Sequence, residues 1–297
     1  MTNGVGAVKN NDVRFGPSGN DVSFYQQGFK SSTQAPAWLK KLGLTAFEVS
    51  FGRGIRMTDK TATEIGEAAR ENGIRISAHA PYFINLANPD PTALKKSYDY
   101  IERSLQLLRI MGGNHLVVHI GSQGEHERDV AIENCKTNLK WVIKKLNEEG
   151  GFYNFEYRIC IETMGRFRAI GDYIEICDIC KIDRRVIPTL DFGHINCILQ
   201  GELSRNKSII PEIMDYCTLA LGAEKMQNIH IHFSAVKFGP KGELSHTTLD
   251  NQKFAIPFAP LGRYIKEKGL EPTIICESTD IMAQDALKLK AEFESLK

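Results

Sequence analysis

The sequence lacks any apolar run long enough to span a bilayer, and its opposite charges nearly cancel. Its 37 Lys and Arg residues against 36 Asp and Glu residues leave a formal net charge of +1, so no global field attracts polyanions. Residues 1–20 are polar and rich in Gly and Asn, without the basic and apolar segments of a signal peptide. These absences favour a cytoplasmic protein with no membrane partner, and they leave nucleic-acid binding to a local groove.

Disulfide spacing is also lacking. The seven cysteines are odd in number and lie mostly inside apolar runs, which is typical of reduced, buried thiols. Cys177 and Cys180 have redox or zinc spacing, but no second pair accompanies them. We therefore interpret them as structural.

Strand-like and helix-like segments alternate along the whole chain. Short β-favouring runs are separated by amphipathic stretches with apolar residues at i, i+3 and i+4. A chain of 297 residues, 42% of them hydrophobic, can bury a large core. The predicted strands are 12–16, 46–51, 74–79, 115–119, 157–162, 186–191, 228–233 and 273–277, and the predicted helices are 37–42, 62–71, 94–111, 131–149, 170–181, 211–221, 254–268 and 283–296.

Eight strands alternating with eight helices predict an α/β protein, a single (β/α)8 TIM barrel. No linker-like break divides the chain, so one domain over residues 1–297 is expected. Whether residues 1–11 are ordered or form a disordered tail is left open. A doubly wound open sheet is the rival fold. It would need a glycine-rich phosphate turn after the first strand, and Gly16-Pro17-Ser18-Gly19 is a poor version of one.

The ends of the predicted strands carry side chains that bind transition metals. In a TIM barrel these ends meet at one mouth, and mixed imidazoles and carboxylates are typical of zinc, manganese or iron sites. One such residue is more often a core histidine or a helix cap, but several buried carboxylates together are unfavourable without a cation. We predict a multinuclear metal site formed by His79, His119, Glu162, Asp191, His194, His232 and Glu277.

The other histidines are interpreted by position. His230 shares a face with His232 because residues i and i+2 point the same way, and the one nearer the strand end is favoured as the ligand. His115 begins its strand and is interpreted as structural. His246 lies in a predicted loop, three residues after Glu243. It either completes another metal's coordination with that carboxylate or is a surface-loop histidine.

Six short motifs resemble those of the endonuclease IV family of apurinic/apyrimidinic endonucleases, which belongs to the xylose-isomerase-like TIM barrels. The resemblance covers about residues 44–280 and keeps the motifs in order at the strand ends. The motifs are His79-Ala80-Pro81-Tyr82-Phe83-Ile84-Asn85-Leu86, His119-Ile120-Gly121-Ser122, Ile161-Glu162-Thr163, Asp191-Phe192-Gly193-His194, His232-Phe233-Ser234-Ala235-Val236-Lys237 and Cys276-Glu277-Ser278.

The resemblance implies a monomeric hydrolase with two to three Zn²⁺ ions, for which Mn²⁺ can substitute. The implied substrate is duplex DNA with a missing base, cut 5′ to the lesion in base excision repair. Glu162 and Glu277 are then the catalytic carboxylates. By motif position, one ion would take His79 and His119, Glu162 would bridge it to a second ion held by Asp191, His232 and Glu277, and a third would take His194 and His246 with an acidic partner.

The resemblance also implies DNA contacts. Tyr82 and Phe83 occupy the loop that, in the family, enters DNA at the damaged site. A DNA-binding arginine after the second strand is either Arg53 or Arg56. An aromatic wedge there could fill the gap left by the missing base.

The chain departs from the family pattern near the loop histidine. The aspartate expected two residues before His246 is replaced by Leu244, so Glu243 is the nearest carboxylate. The proline that usually follows the second motif histidine is Ile120 here. These departures bear on the third ion and on the substrate.

Two other functions remain open. A metal-dependent sugar isomerase or epimerase would use the same barrel with one or two metals and two acidic residues for proton transfer to a small sugar. A binding scaffold without metal is the third interpretation, and the carboxylates of Glu162, Asp191 and Glu277 count against it. The number of histidines at the strand ends favours the nuclease.

Overall fold

Parallel β-strands form the centre of the molecule. The computed structural model describes residues 12–297, so the question of a tail at 1–11 lies outside the described residues. The strands are β1 (Arg14–Pro17), β2 (Ala46–Ser50), β3 (Arg75–His79), β4 (His115–Val118), β5 (Arg158–Glu162), β6 (Val186–Asp191), β7 (His230–His232), β8 (Ala235–Gly239), β9 (Gly242–Thr247) and β10 (Thr273–Cys276).

Eight of these strands make one parallel sheet in the order β1-β10-β7-β6-β5-β4-β3-β2, and the sheet curls until β1 approaches β2. At this seam the backbone N–H of Gly19 donates to the carbonyl of Glu48 at 2.8 Å. Gly16 permits the approach, because a Cβ atom there would lie 1.9 Å from the carbonyl oxygen of Ala46. The predicted TIM barrel is confirmed.

Helices follow the strands and cover the barrel. Among the described residues, no helix combines the length and the apolar character needed to cross a bilayer. The helices are α1 (Val22–Gln26), α2 (Ala35–Leu42), α3 (Asp59–Asn72), α4 (Pro91–Ile110), α5 (Arg128–Glu148), α6 (Tyr173–Cys180), α7 (Phe192–Ile198), α8 (Glu202–Arg205), α9 (Ile209–Leu221), α10 (Ala223–Gln227), α11 (Ala259–Lys268) and α12 (Met282–Ser295).

Local sequence explains where the helices begin. The carboxylate of Asp90 accepts hydrogen bonds from two backbone N–H groups of the first turn of α4, and Pro91 follows it directly, which is a favoured start. Asp172 caps α6 in the same way, so the helix predicted from residue 170 begins at Tyr173. The helix predicted from residue 254 begins only at Ala259, because Pro257 disfavours a helical conformation in the residue before it. Pro260 lies in the first turn of the helix, where a proline is tolerated.

One predicted loop is wrong. The segment after the seventh barrel strand, predicted as a loop carrying His246, forms the antiparallel hairpin of β8 and β9. Its turn is Gly239-Pro240-Lys241-Gly242, and turn residues of this kind favour hairpins between β-favouring runs. His246 therefore has a fixed position on a strand.

The barrel interior is apolar in its middle and polar at its C-terminal mouth. Val117, Cys160 and Ile187 form a small buried cluster inside the barrel. All seven cysteines are free and buried, as predicted. The polar side chains described below lie at the mouth, where the strands end.

Candidate metal centre

The predicted ligands lie together at the C-terminal mouth of the barrel. Each is the last residue of a strand, the first residue after one, or part of the segment that follows. The structure brings together His79 from β3, His119 after β4, Glu162 from β5, Asp191 from β6, His194 from α7, His232 from β7, Glu243 and His246 from β9 and Glu277 after β10.

Glu162 lies at the centre of this set and is fully buried. Its Oε2 atom is 3.0 Å from Nε2 of His79 and 2.7 Å from Nε2 of His119. Its Oε1 atom is 3.1 Å from Nδ1 of His232 and 3.3 Å from Nδ1 of His194. The two oxygens of one carboxylate thus face two different groups of imidazoles, which is the arrangement of a bridging ligand.

A second group surrounds His232. Its Nδ1 atom lies 3.4 Å from Oε2 of Glu277 and 3.9 Å from Oδ2 of Asp191. Asp191 caps α7 through Oδ1, which accepts from the backbone N–H of His194 at 2.8 Å. Its Oδ2 atom is buried without a hydrogen-bond partner. An orphaned carboxylate oxygen aimed at three other ligand atoms fits a cation.

A third group joins α7 to the hairpin. Nε2 of His194 lies 3.8 Å from Oε2 of Glu243, and the rings of His194 and His246 are 5.5 Å apart. The hairpin is held against the β5 loop by a 2.7 Å hydrogen bond from the Glu243 N–H to the carbonyl of Gly165. Gly242 makes this contact possible, since a Cβ atom there would lie 2.2 Å from the Gly165 oxygen.

Protons compete for the same positions in the absence of cations. Burial alone would lower the pKa of both imidazoles, but Glu162 raises the pKa of His79 to about 9, and Asp191 with Glu162 raises that of His194 to about 10. Burial would raise the pKa of Glu277, yet the charge of His232 lowers it to about 2. Buried imidazolium–carboxylate contacts of this density are where divalent cations replace protons. The nitrogen and oxygen donors suit zinc, manganese or iron.

Backbone carbonyls fix the orientation of two imidazoles. Nδ1 of His79 lies 2.8 Å from the carbonyl oxygen of Ala80, and Nδ1 of His194 lies 2.9 Å from that of Thr163. Nε2 of His79 then faces Glu162, and Nε2 of His194 faces Glu243. Nδ1 of His194 also lies 3.3 Å from Glu162 and from Asp191. Such outer contacts set the tautomer of metal-binding histidines.

A cavity of about 710 Å³ opens above these groups. Tyr82 and Phe83 line it with side chains that are 56% and 57% exposed, and the Tyr82 ring lies 5.4 Å from that of His119. Arg53 and Arg56 are exposed on the adjacent loop. That loop contacts the aromatic segment through the Tyr82 N–H, which donates to the carbonyl of residue 52.

A basic turn on another side of the cavity was not predicted from the sequence. Among the described residues lining the cavity, the guanidinium groups are those of Arg166 and Arg168, with the half-exposed Phe167 between them. Hydrogen bonds close the turn from Ala169 N–H to the Arg166 carbonyl and tie it to a neighbouring loop. The alternation of basic and aromatic residues just after Glu162 was the available signal.

Glu48 and its contact with His230 were also missed. Glu48 is fully buried on β2, and its Oε2 atom lies 2.8 Å from Nε2 of His230. A charged residue between Phe47 and Val49 in a predicted strand was the signal for a special site. His115 lies at the opposite end of the barrel, where burial lowers its pKa to about 3.

Comparison with known sequences identifies relatives of two kinds. A protein family described as xylose isomerase-like TIM barrel matches residues 36–297. An uncharacterized protein of Methanocaldococcus jannaschii is 28% identical over 87% of this chain and 90% of its own length. A probable endonuclease 4 of Mycoplasma genitalium is 28% identical over 66% of this chain and 64% of its own length.

Solved structures share the fold at lower identity. Endonuclease IV from Thermus thermophilus matches 95% of this chain and 99% of its own with a TM-score of 0.69 and 17% identity. A D-tagatose 3-epimerase-like protein matches 95% of this chain and 96% of its own with a TM-score of 0.67 and 18% identity. At these identities the two structures support the barrel fold equally.

Proposed function

This chain belongs to the xylose isomerase-like TIM-barrel family, and on that premise we propose that it is a metal-dependent phosphodiesterase that cuts duplex DNA 5′ to abasic sites. The proposal follows the resemblance of its motifs to endonuclease IV. The relative from Mycoplasma genitalium, a probable endonuclease 4, supports it. Zinc is the proposed metal, with manganese as a substitute.

The observation that carries the proposal is the adjacency of three ligand groups at one mouth. The first is His79, His119 and Glu162, and the second shares Glu162. The third, on the hairpin, comes within 4.0 Å of the second through His246 and Glu277. A polyol needs one or two cations, whereas three adjoining groups suit a phosphodiester, whose equatorial and leaving oxygens all gain charge during hydrolysis.

Different residues of the metal centre would have different roles in hydrolysis. Bound divalent cations supply Lewis acidity to the phosphodiester. Glu162 would hold two of the ligand groups at a fixed separation through its two oxygens. Glu277, whose pKa is lowered to about 2 by His232 after the opposing effect of burial, would remain ionised at neutral pH. Burial of these groups keeps bulk water from screening them.

The side chains at the rim of the cavity suit the phosphates and the missing base of an abasic DNA duplex. Arg166 and Arg168 offer guanidinium groups, each of which can donate two parallel hydrogen bonds to the oxygens of one phosphate. A neutral sugar has no negative charge for these groups to bind. Tyr82 and Phe83 expose rings on the loop after β3. Aromatic side chains of this kind enter unstacked steps in damaged DNA.

Incision of a duplex with one abasic site tests the proposal. We expect zinc-loaded protein to cut the backbone 5′ to the site, EDTA to abolish cutting and added Zn²⁺ to restore it. Glu277→Ala should lower the rate by roughly 100-fold or more, while Glu292→Ala, which removes an exposed carboxylate on α12, should leave it unchanged. Failure of the metal-loaded wild-type protein to cut would refute the nuclease.

A sugar isomerase or epimerase is the second candidate, and one observation favours it. Glu162, Asp191, His232 and Glu277 form a four-ligand group that is complete without His79. His79→Ala therefore separates the two functions. It should abolish DNA incision, whereas conversion of a ketose by the manganese-loaded protein, if this is the true activity, should survive the substitution.

A further inference from the structure

Glu48 is a carboxylate enclosed in the barrel beneath the ligand groups. Its side chain has no exposure to solvent. Its Oε2 atom accepts a hydrogen bond from the Ser77 hydroxyl at 3.1 Å and lies 2.8 Å from Nε2 of His230. Its Oε1 atom lies 3.1 Å from Nε2 of His232. The hydrogen bond with His230 is enough to satisfy one oxygen of this carboxylate. The contact of the other oxygen with His232 is the one that concerns the ligand groups.

His232 has a carboxylate contact at each ring nitrogen. Nδ1 faces Glu162 at 3.1 Å and Glu277 at 3.4 Å, while Nε2 faces Glu48. A neutral imidazole has one N–H and one lone pair, and only the lone pair binds a cation. Without a cation, Nδ1 hydrogen-bonds Glu162 and Nε2 is buried without a hydrogen-bond partner, 3.1 Å from Oε1 of Glu48. A cation held by Glu162, Asp191 and Glu277 would take the lone pair of Nδ1, which faces them. The N–H would then be at Nε2, where the Glu48 carboxylate can accept it.

This ring is reversed relative to two other imidazoles of the centre. His79 directs Nδ1 to a backbone carbonyl at 2.8 Å and Nε2 to Glu162. Nδ1 of His194 also hydrogen-bonds a backbone carbonyl, at 2.9 Å, and its Nε2 faces Glu243. His232 directs Nδ1 inward, and its outer nitrogen meets a buried carboxylate instead of a carbonyl. A carboxylate as outer partner also increases the basicity of the ligand nitrogen.

We propose that Glu48 is a positioning residue that holds His232 in the Nε2–H tautomer, so that Nδ1 is presented to a cation. The proposal rests on the metal binding that belongs to the proposed function, but not on the identity of the substrate. Ser77 and His230 hold the other oxygen of Glu48 and thereby fix the direction of the carboxylate.

The tautomers can be observed directly in the wild-type protein. Imidazole ¹H–¹⁵N correlation spectra of the zinc-loaded protein, assigned with single His→Gln variants, should show His232 protonated at Nε2 and bound through Nδ1. His79 and His194 should show the opposite pattern. A proton on Nδ1 of His232 would overturn the proposal, and this measurement needs no Glu48 variant that folds.

Glu48→Gln tests the effect on binding. The amide keeps the shape but removes the charge, and we expect the zinc affinity, measured by competition with a chelating dye, to fall by about 10- to 100-fold. The visible spectrum of the Co²⁺-substituted protein should change as well. Asp21→Asn is the matched control, because Asp21 is a buried carboxylate that accepts from the backbone N–H groups of Phe24 and Ala283. It should lower thermal stability without changing zinc affinity.

These experiments distinguish failure of the Glu48 proposal from failure of the proposed function. If Glu48→Gln loses thermal stability in EDTA but keeps wild-type zinc affinity and the wild-type Co²⁺ spectrum, Glu48 only supports the fold and this inference is wrong, while the proposed function stands. If the wild-type protein binds no zinc, the proposed function itself fails.

Discussion

The protonation of two imidazoles near Glu162, those of His79 and His194, makes the stability of the fold depend on pH. Without cations, the imidazoles of His79 and His194 keep protons that an unfolded chain releases, because neighbouring carboxylates outweigh burial and raise their pKa values to about 9 and about 10. A raised imidazole pKa stabilises the folded state fully below the unfolded value near 6.5. That stabilisation is lost as the pH rises through 9 and 10.

We therefore expect the EDTA-treated protein to become less stable between pH 7 and pH 10. The measurement is the urea midpoint of unfolding at several pH values, and His79→Gln should flatten the fall. With saturating Zn²⁺ the fall should disappear, since the cation takes the place of the protons. A midpoint that rises over this range in EDTA would contradict the assignment of protons to these two rings.

At the scale of elements, the hairpin of β8 and β9 decides whether the third ligand group exists. Its β9 strand supplies Glu243 and His246, and it docks through Gly242 against the carbonyl of Gly165. A side chain at 242 would meet backbone 2.2 Å away and would also be strained at the positive φ of 91°. The hairpin would have to move away from the loop that follows β5, which carries Gly165.

Gly242→Val should thus reduce the number of bound zinc ions by one and leave the barrel folded. Metal content after dialysis, measured by mass spectrometry, checks the count, and circular dichroism checks the fold. Gly239→Ala is the matched control in the same hairpin, because its added methyl group would meet only the Leu244 side chain at an ordinary 3.6 Å. Equal metal content in both variants would argue against a third ion on the hairpin.

The basic turn after β5 should contribute to DNA affinity by neutralising phosphates. The double substitution Arg166→Gln/Arg168→Gln should reduce the slope of log affinity against log salt by about two, one for each phosphate that an arginine no longer neutralises. Fluorescence anisotropy with a labelled duplex measures the slope. Arg184→Gln, an exposed arginine on the loop that precedes β6, should leave it unchanged, and an unaltered slope in the double variant would place the DNA elsewhere.

At the scale of the whole molecule, closure of the barrel at the seam of β1 and β2 sets the relative positions of the ligands. Gly16→Ala would place a methyl group 1.9 Å from the backbone oxygen of Ala46. We expect it to lower the free energy of unfolding by about 3 kcal/mol, measured in urea. Gly19→Ala, whose methyl group meets no atom within 4 Å, should have the smaller effect of about 1 kcal/mol due to its positive φ.

The sequence predicted the barrel and its mouth because both follow from local patterns. Each parallel strand is a short apolar run ending in a polar residue, so Glu162 and Asp191 could be placed from spacing alone. Glu48 could not, because its importance depends on which strands face each other across the barrel. The hairpin was missed because its turn, Gly239 to Gly242, also fits an irregular loop. The short helix α7 was missed because it spans only the segment Phe192–Ile198.

The hairpin lies outside the parallel sheet, and this separation has a consequence for protein engineering. Apart from its buried residues Ala235, Val236, Gly242 and Thr247, this segment can be exchanged without repacking the interior. Grafting this hairpin onto a related barrel that lacks it, or trimming it here, would add or remove the candidate ligand group of Glu243 and His246 while the other candidate ligands keep their places. The same parallel barrel could then support different reactions through changes confined to the β8–β9 hairpin.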